Sequence, residues 1–179
     1  RDSSPFAAPL AALAAARMEP SEADNTERRL IRESLAELGA PLTGTFAKKH
    51  FSVEETLVKA LRLASTDGTV LRVLPLLFVR HEFALDWVAL KELAKRQKLK
   101  AELGVVVQLA GRLSSRPTLS KRVSDLKDRR RKVSRYFPQA PTSFERTLAE
   151  QQTPPLARKW GFFMNISEAS FQSVLSKHG

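Results

Sequence analysis

Few residues in this 179-residue chain have the types and spacing that covalent chemistry needs. Cysteine is absent, which excludes disulfide scaffolds, cysteine-ligated zinc, iron–sulfur clusters and thiol nucleophiles. The three histidines are His50, His81 and His178, and none sits in an HxH or HExxH spacing. His81, Glu82 and Asp86 form the single His–acid neighbourhood within a turn or so of helix. Such a trio could hold a metal or pass protons in an enzyme with a dispersed site near His81. A polar corner after an apolar helix uses the same residues structurally. The seven glycines make no GxGxxG or GxxxxGK[ST] loop, and GxSxG and kinase signatures are missing. Gly104 to Gly111 superficially suggests a nucleotide loop, but the residues between suit the inside of a packed helix. No catalytic residue, metal or cofactor is therefore assigned, and a non-catalytic protein is expected.

Charge is the more informative property. The chain carries 30 Lys plus Arg against 19 Asp plus Glu, a formal charge of +11. Residues 71–113 hold +4 of this and residues 114–138 hold +7, while the remaining segments cancel. The densest run is Lys127-Asp128-Arg129-Arg130-Arg131-Lys132, followed by Arg135. A local surplus attracts polyanions or an acidic protein through long-range Coulomb forces. It can equally be a solvated face that serves only solubility. The candidate contact residues are Lys95, Arg96, Lys98, Lys100, Lys121, Arg122, Lys127, Arg129, Arg130, Arg131, Lys132 and Arg135. Lysine and arginine on a helix flank track phosphates without reading sequence. Tyr136 and Phe137 are the aromatics beside the cluster, and Phe137 continues a buried stripe.

The elements that must position these groups read as helices. Residues 1–24 form an Ala/Pro-rich arm or docking helix. Two arginines against four acids argue against a targeting signal there. A helix from Thr26 to Leu38, capped by Asn25 or Thr26, carries Leu30, Ile31, Leu35 and Leu38 on one stripe, with Gly39 as its stop. Ser52 and Glu55 make a capping box for a second helix. Residues 70–79 are the most apolar block, and Pro75 favours a core helix, with the proline near its first turn or at a kink, over a strand without excluding either. Asp86 caps the next helix and Lys95–Lys98 closes it. A helix over 101–113 follows, too apolar to be the recognition helix of a helix-turn-helix. Leu119, Val123, Leu126, Val133 and Phe137 then space a basic helix over 117–137, with Arg130 on its stripe. Ser143 and Ser167 start two short helices around an aromatic cluster at Trp160, Phe162, Phe163 and Met164.

Residues 85–113 resemble a segment of the antitoxins of abortive-infection nucleotidyltransferase systems. An Asp-Trp opening a helix, an alanine within it and a Leu-Gly starting the next correspond to Asp86, Trp87, Ala94, Leu103 and Gly104. The resemblance implies a regulatory, partner-binding role. No winged helix is traced in residues 25–70, so no promoter-binding role and no functional residue is carried over.

The expected protein is all-α or mostly α, a compact helical domain of seven to nine helices with a loosely attached N-terminal arm. A core domain over 25–138 would contain the basic helix 117–137, and 139–179 would form a C-terminal helical and aromatic extension. Its expected role is an antitoxin-like regulator binding an acidic protein, nucleic acid or both through residues 95–135. The alternative is a nucleic-acid accessory protein with little sequence preference. The longest stretch free of charge and proline, Leu103 to Gly111, is too short for a membrane span. A soluble, cytoplasmic protein without membrane contact is expected.

Overall fold

A computed structural model describes residues 21–43, 51–127 and 132–179. The expected arm up to residue 20 lies outside the described residues. Nine α-helices and two two-residue strands make up the described fold, which is mostly helical as expected.

Helix α1 spans Glu22–Glu37 and starts four residues before the cap expected at Asn25 or Thr26 would allow. Ser21 accepts from the Asp24 amide and the Asp24 carboxylate accepts from the Ser21 amide, so the capping box forms there instead. Residues 22–24, expected in the arm, are its first turn. Helix α2, Val53–Ala64, begins on the Ser52–Glu55 box that its sequence foretells.

Asp67 ends the loop after α2 and caps α3, Gly68–Arg80, by accepting from Thr69 and Val70. The apolar block at 70–79 is thus helical, with Pro75 buried in its middle. Proline removes one intrahelical donor there. The apolar packing on all sides of α3 holds the helix through that gap: Val70, Leu71 and Val73 to Val79 are all buried.

Asp86 caps α4, Trp87–Arg96, by accepting from Val88 and Ala89. A turn at Gln97–Leu99 leads into α5, Lys100–Leu113, and Lys98 adopts a left-handed φ of 59° there. Helix α5 is the central strut. Residues 101–107 and 109–111 are all buried, against α3, α6 (Pro117–Arg122) and the C-terminal elements.

The continuous basic helix over 117–137 is not formed. Helix α6 stops at Arg122, Ser124–Leu126 make one 3-10 turn, and Arg135–Tyr136 form strand β1. The helical spacing is real only as far as Leu126. Leu119, Val123, Leu126 and Phe137 are all buried, but they do not share one helix. Val123, Ser124 and Asp125 are poor helix formers, and the following like charges repel at helical spacing.

Helix α7, Ser143–Gln152, is capped by Thr142 with Glu145, one residue before the expected cap, and α8 spans Pro155–Lys159. Strand β2, Phe162–Phe163, pairs in parallel with β1, Arg135 opposite Phe162. Ser167 caps α9, Glu168–His178, which packs on α3 and α5. Leu156, Trp160, Phe162, Phe171 and Leu175 join the same hydrophobic core as α2 to α5. The C-terminal residues therefore complete the core that α5 runs through.

Candidate functional site

His81, Glu82 and Asp86 have separate structural tasks. His81 ends α3, and its Nε2 lies 2.8 Å from the Leu38 carbonyl oxygen. Glu82 is 1% exposed, accepts from the Thr118 hydroxyl at 2.5 Å and faces the Arg116 guanidinium at 3.4 Å. Its backbone carbonyl accepts from the Trp87 indole at 2.8 Å. Asp86 is committed to the α4 cap. Among the described residues, no group of three or more His, Cys, Asp or Glu is placed to hold a metal. No helix among them is long and apolar enough to cross a membrane.

A groove of about 560 Å³ opens between α1, α2 and the end of α4. Ile31, Val58, Leu63 and Leu93 contribute its apolar lining. Its charged residues include Lys59 and Glu27, paired at 3.2 Å, and Arg28, which donates to Thr66 at 2.8 Å. It contains no histidine and no convergent acid–base pair.

The basic residues divide into three sets. Arg129, Arg130 and Arg131 lie outside the described residues. Arg122 and Arg135, both half-buried, are engaged in contacts within the protein. Arg122 stacks over the Trp87 ring at 5.2 Å, and Arg135 stacks over the Phe162 ring at 4.8 Å while pairing with Glu102 at 3.4 Å. Such stacking uses the flat guanidinium face and takes both side chains away from a free surface role. The remaining seven are exposed: Lys95, Arg96, Lys98, Lys100, Lys121, Lys127 and Lys132. Lys95 pairs with Glu92 at 3.0 Å, whereas the other six make no ion pair with a described residue.

Two ion pairs link the elements that carry these cations. Lys91, on α4, pairs with Asp125 of the 3-10 turn at 3.2 Å. Glu102, on the first turn of α5, pairs with Arg135 of β1 at 3.4 Å. Asp125 is thus tied to mid-α4 and Arg135 to the start of α5. The α4–α5 turn lies between those two anchors. Lys127 follows the first anchor by two residues and Lys132 precedes the second by three. Lys98 lies in the intervening turn, with Arg96 ending α4 and Lys100 starting α5 beside it. Arg96, Lys98 and Lys100 are thus neighbours at the α4–α5 connection, while Lys127 and Lys132 flank residues 128–131, which lie outside the described residues. Lys121, on α6, stands apart from the two anchors in sequence, on the element before them.

Asp125, Glu102 and Lys91 escape a sequence reading, because isolated acids beside a basic run look like diluting charges. No local signal identifies their partners, which lie 34 and 33 residues away. The residues carrying the antitoxin resemblance have packing roles. Asp86 is the cap, Trp87, Ala94 and Leu103 are buried, and Gly104 accommodates the Trp160 ring. No protein-family model, curated protein or solved structure matches the chain.

Proposed function

We propose that this is a non-catalytic helical protein that binds the phosphate backbone of nucleic acid through the α4–α5 corner. The observation that carries this reading is the pair of anchors, Lys91–Asp125 and Glu102–Arg135, which bracket a turn bearing Arg96, Lys98 and Lys100. Five exposed cations without ion-pair partners among the described residues, Arg96, Lys98, Lys100, Lys127 and Lys132, are the proposed phosphate contacts. Lysines on flexible stems favour phosphate contact over base reading, so little sequence preference is expected. Helix α5 supports no recognition-helix role, since its middle is core. Aromatic stacking adds little, because Phe137 is buried and the Tyr136 hydroxyl donates to Glu150 at 2.8 Å.

The second reading is an acidic protein as the polyanion, in the manner of an antitoxin and its partner. It is favoured by one observation: the segment with that resemblance, 85–113, is also the one that presents the turn cations. Gel-shift titration on unrelated DNA and RNA fragments separates the two. Binding to both, weakened by salt, is expected for the phosphate reading. No shift on either, together with co-purification of an acidic protein, would replace it with the second.

A further inference from the structure

We infer that the groove between α1, α2 and the end of α4 is a binding site for a small amphipathic carboxylate, with Arg28 and Arg62 as the contacts for its anionic head. The inference does not rest on the phosphate-binding reading. The groove holds about 560 Å³, within the roughly 300–1,000 Å³ span of small-molecule sites. Ile31, Val58 and Leu63 are buried beneath it and Leu93 is half-buried beside them, so one side of the groove is apolar. An alkyl chain laid there leaves water.

The polar side is decided by which charges already have partners. Three carboxylates line the groove, and each is engaged. Asp24 accepts from the Ser21 amide and Glu55 from the Ser52 amide, completing the two capping boxes. Glu27 pairs with Lys59, which also lies over the Phe51 ring at 4.9 Å. Arg32, one turn beyond Arg28 on α1, pairs with Asp67 at 2.7 Å. Arg28 and Arg62 differ from these. Arg28 donates to the Thr66 hydroxyl at 2.8 Å and Arg62 to the side-chain oxygen of Gln97, both neutral acceptors. Neither arginine makes an ion pair with a described residue. Thr66 and Gln97 also line the groove, so the two guanidinium groups reach it from different helices. A guanidinium carries more donors than one neutral bond uses, and its flat fork matches a carboxylate. The three lining acids repel a doubly charged phosphate twice as strongly as a monoanion, which favours the carboxylate.

The test titrates the full chain with decanoate, decanol and decyl phosphate, each below its micelle concentration, by calorimetry. The methyl groups of Ile31, Val58 and Leu63 are followed by NMR in parallel. Saturable decanoate binding that shifts those methyls is expected, with decanol and decyl phosphate roughly fivefold or more weaker. Arg28→Gln and Arg62→Gln should each lose roughly tenfold in decanoate affinity. Arg62 is exposed and Arg28 half-buried, so circular dichroism should be unchanged in both. If a variant unfolds, the methyl shifts and the ranking of the three probes on wild type decide. Absence of saturable decanoate binding, unshifted methyls, or wild-type affinity in both variants would overturn the inference. Decanol binding as tightly as decanoate would remove the arginines' role, and tighter decyl phosphate would remove the carboxylate class. Each of these results leaves the phosphate-backbone reading untouched.

Discussion

The Trp160 indole lies directly on the backbone of Gly104, so that a Cβ at residue 104 would overlap Cη2 and Cζ3 of the ring. The indole cannot slide away freely, because its Nε1 donates to Gln108 Oε1 at 2.5 Å, one turn further along α5. This contact joins the C-terminal elements to the central helix. Gly104→Ala would gain about 1 kcal/mol of helix propensity in an exposed helix. Overpacking of about 1–3 kcal/mol opposes that gain, and the ring is pinned. The expected net outcome is a lower denaturation midpoint, measured by urea titration. Gly104→Ala combined with Trp160→Leu should lose less than the sum of the two single changes.

Glu82 is expected to matter for stability and not for catalysis. It is buried between Arg116, Thr118 and the α3–α4 corner. Glu82→Ala strands the Thr118 hydroxyl and removes the acid facing Arg116, at a cost of about 1–3 kcal/mol. Arg116 is 44% exposed, so solvent offsets part of the loss of that pair. His81→Ala, by contrast, removes one contact to the Leu38 carbonyl and should cost about 1 kcal/mol. Thermal unfolding of the two variants orders them.

Much of the fold is legible in the sequence because its helix starts are local. Ser52 with Glu55, and Asp86 before Trp87, act within three residues of themselves. Ser21 with Asp24 is equally local, but an alanine-rich stretch precedes it and the box uses aspartate in place of glutamate. The failure at 117–137 has a different origin. Leu119, Val123, Leu126 and Phe137 fit a helical period, and all four are buried. Helix α6 ends locally, at Val123, Ser124 and Asp125, but what places Phe137 is long-range: it meets the Phe162 ring at 5.5 Å and β1 pairs with β2. A partner 25 residues downstream leaves no mark on local periodicity. The candidate site divides the same way. Its cations are obvious from composition, while the pairings of Asp125 with Lys91 and of Glu102 with Arg135 are visible only in three dimensions.

Glu145 supplies a pH-dependent cap. Hydrogen bonds from the Thr142 amide and hydroxyl hold its carboxyl below the ordinary glutamate range. A lowered folded-state value means the stabilisation is complete above the unfolded-state value and is lost as pH falls through the folded one. Carbon-detected NMR titration should place the Glu145 midpoint below that of an unstructured glutamate. Thr142→Ala removes the hydroxyl bond but keeps the residue-142 amide donor, so it should raise the midpoint only part of the way to the ordinary range and fray the start of α7.

Neutralising the exposed cations should lower affinity without harming the fold. Lys98, Lys100, Lys127 and Lys132 make no ion pair with a described residue, so exchange to Gln removes charge and little else. If all four contact phosphates, the slope of log affinity against log salt falls by roughly 3 to 4. The fold is checked by circular dichroism, which should be unchanged.

The central claim is that the exposed cations around the α4–α5 turn bind phosphate backbone, and salt dependence tests it most directly. Affinity of the wild-type chain for two unrelated nucleic-acid sequences is measured between roughly 50 and 200 mM salt. A steep fall with the same slope on both sequences is the predicted result. Affinity that stays flat across that range would contradict the account.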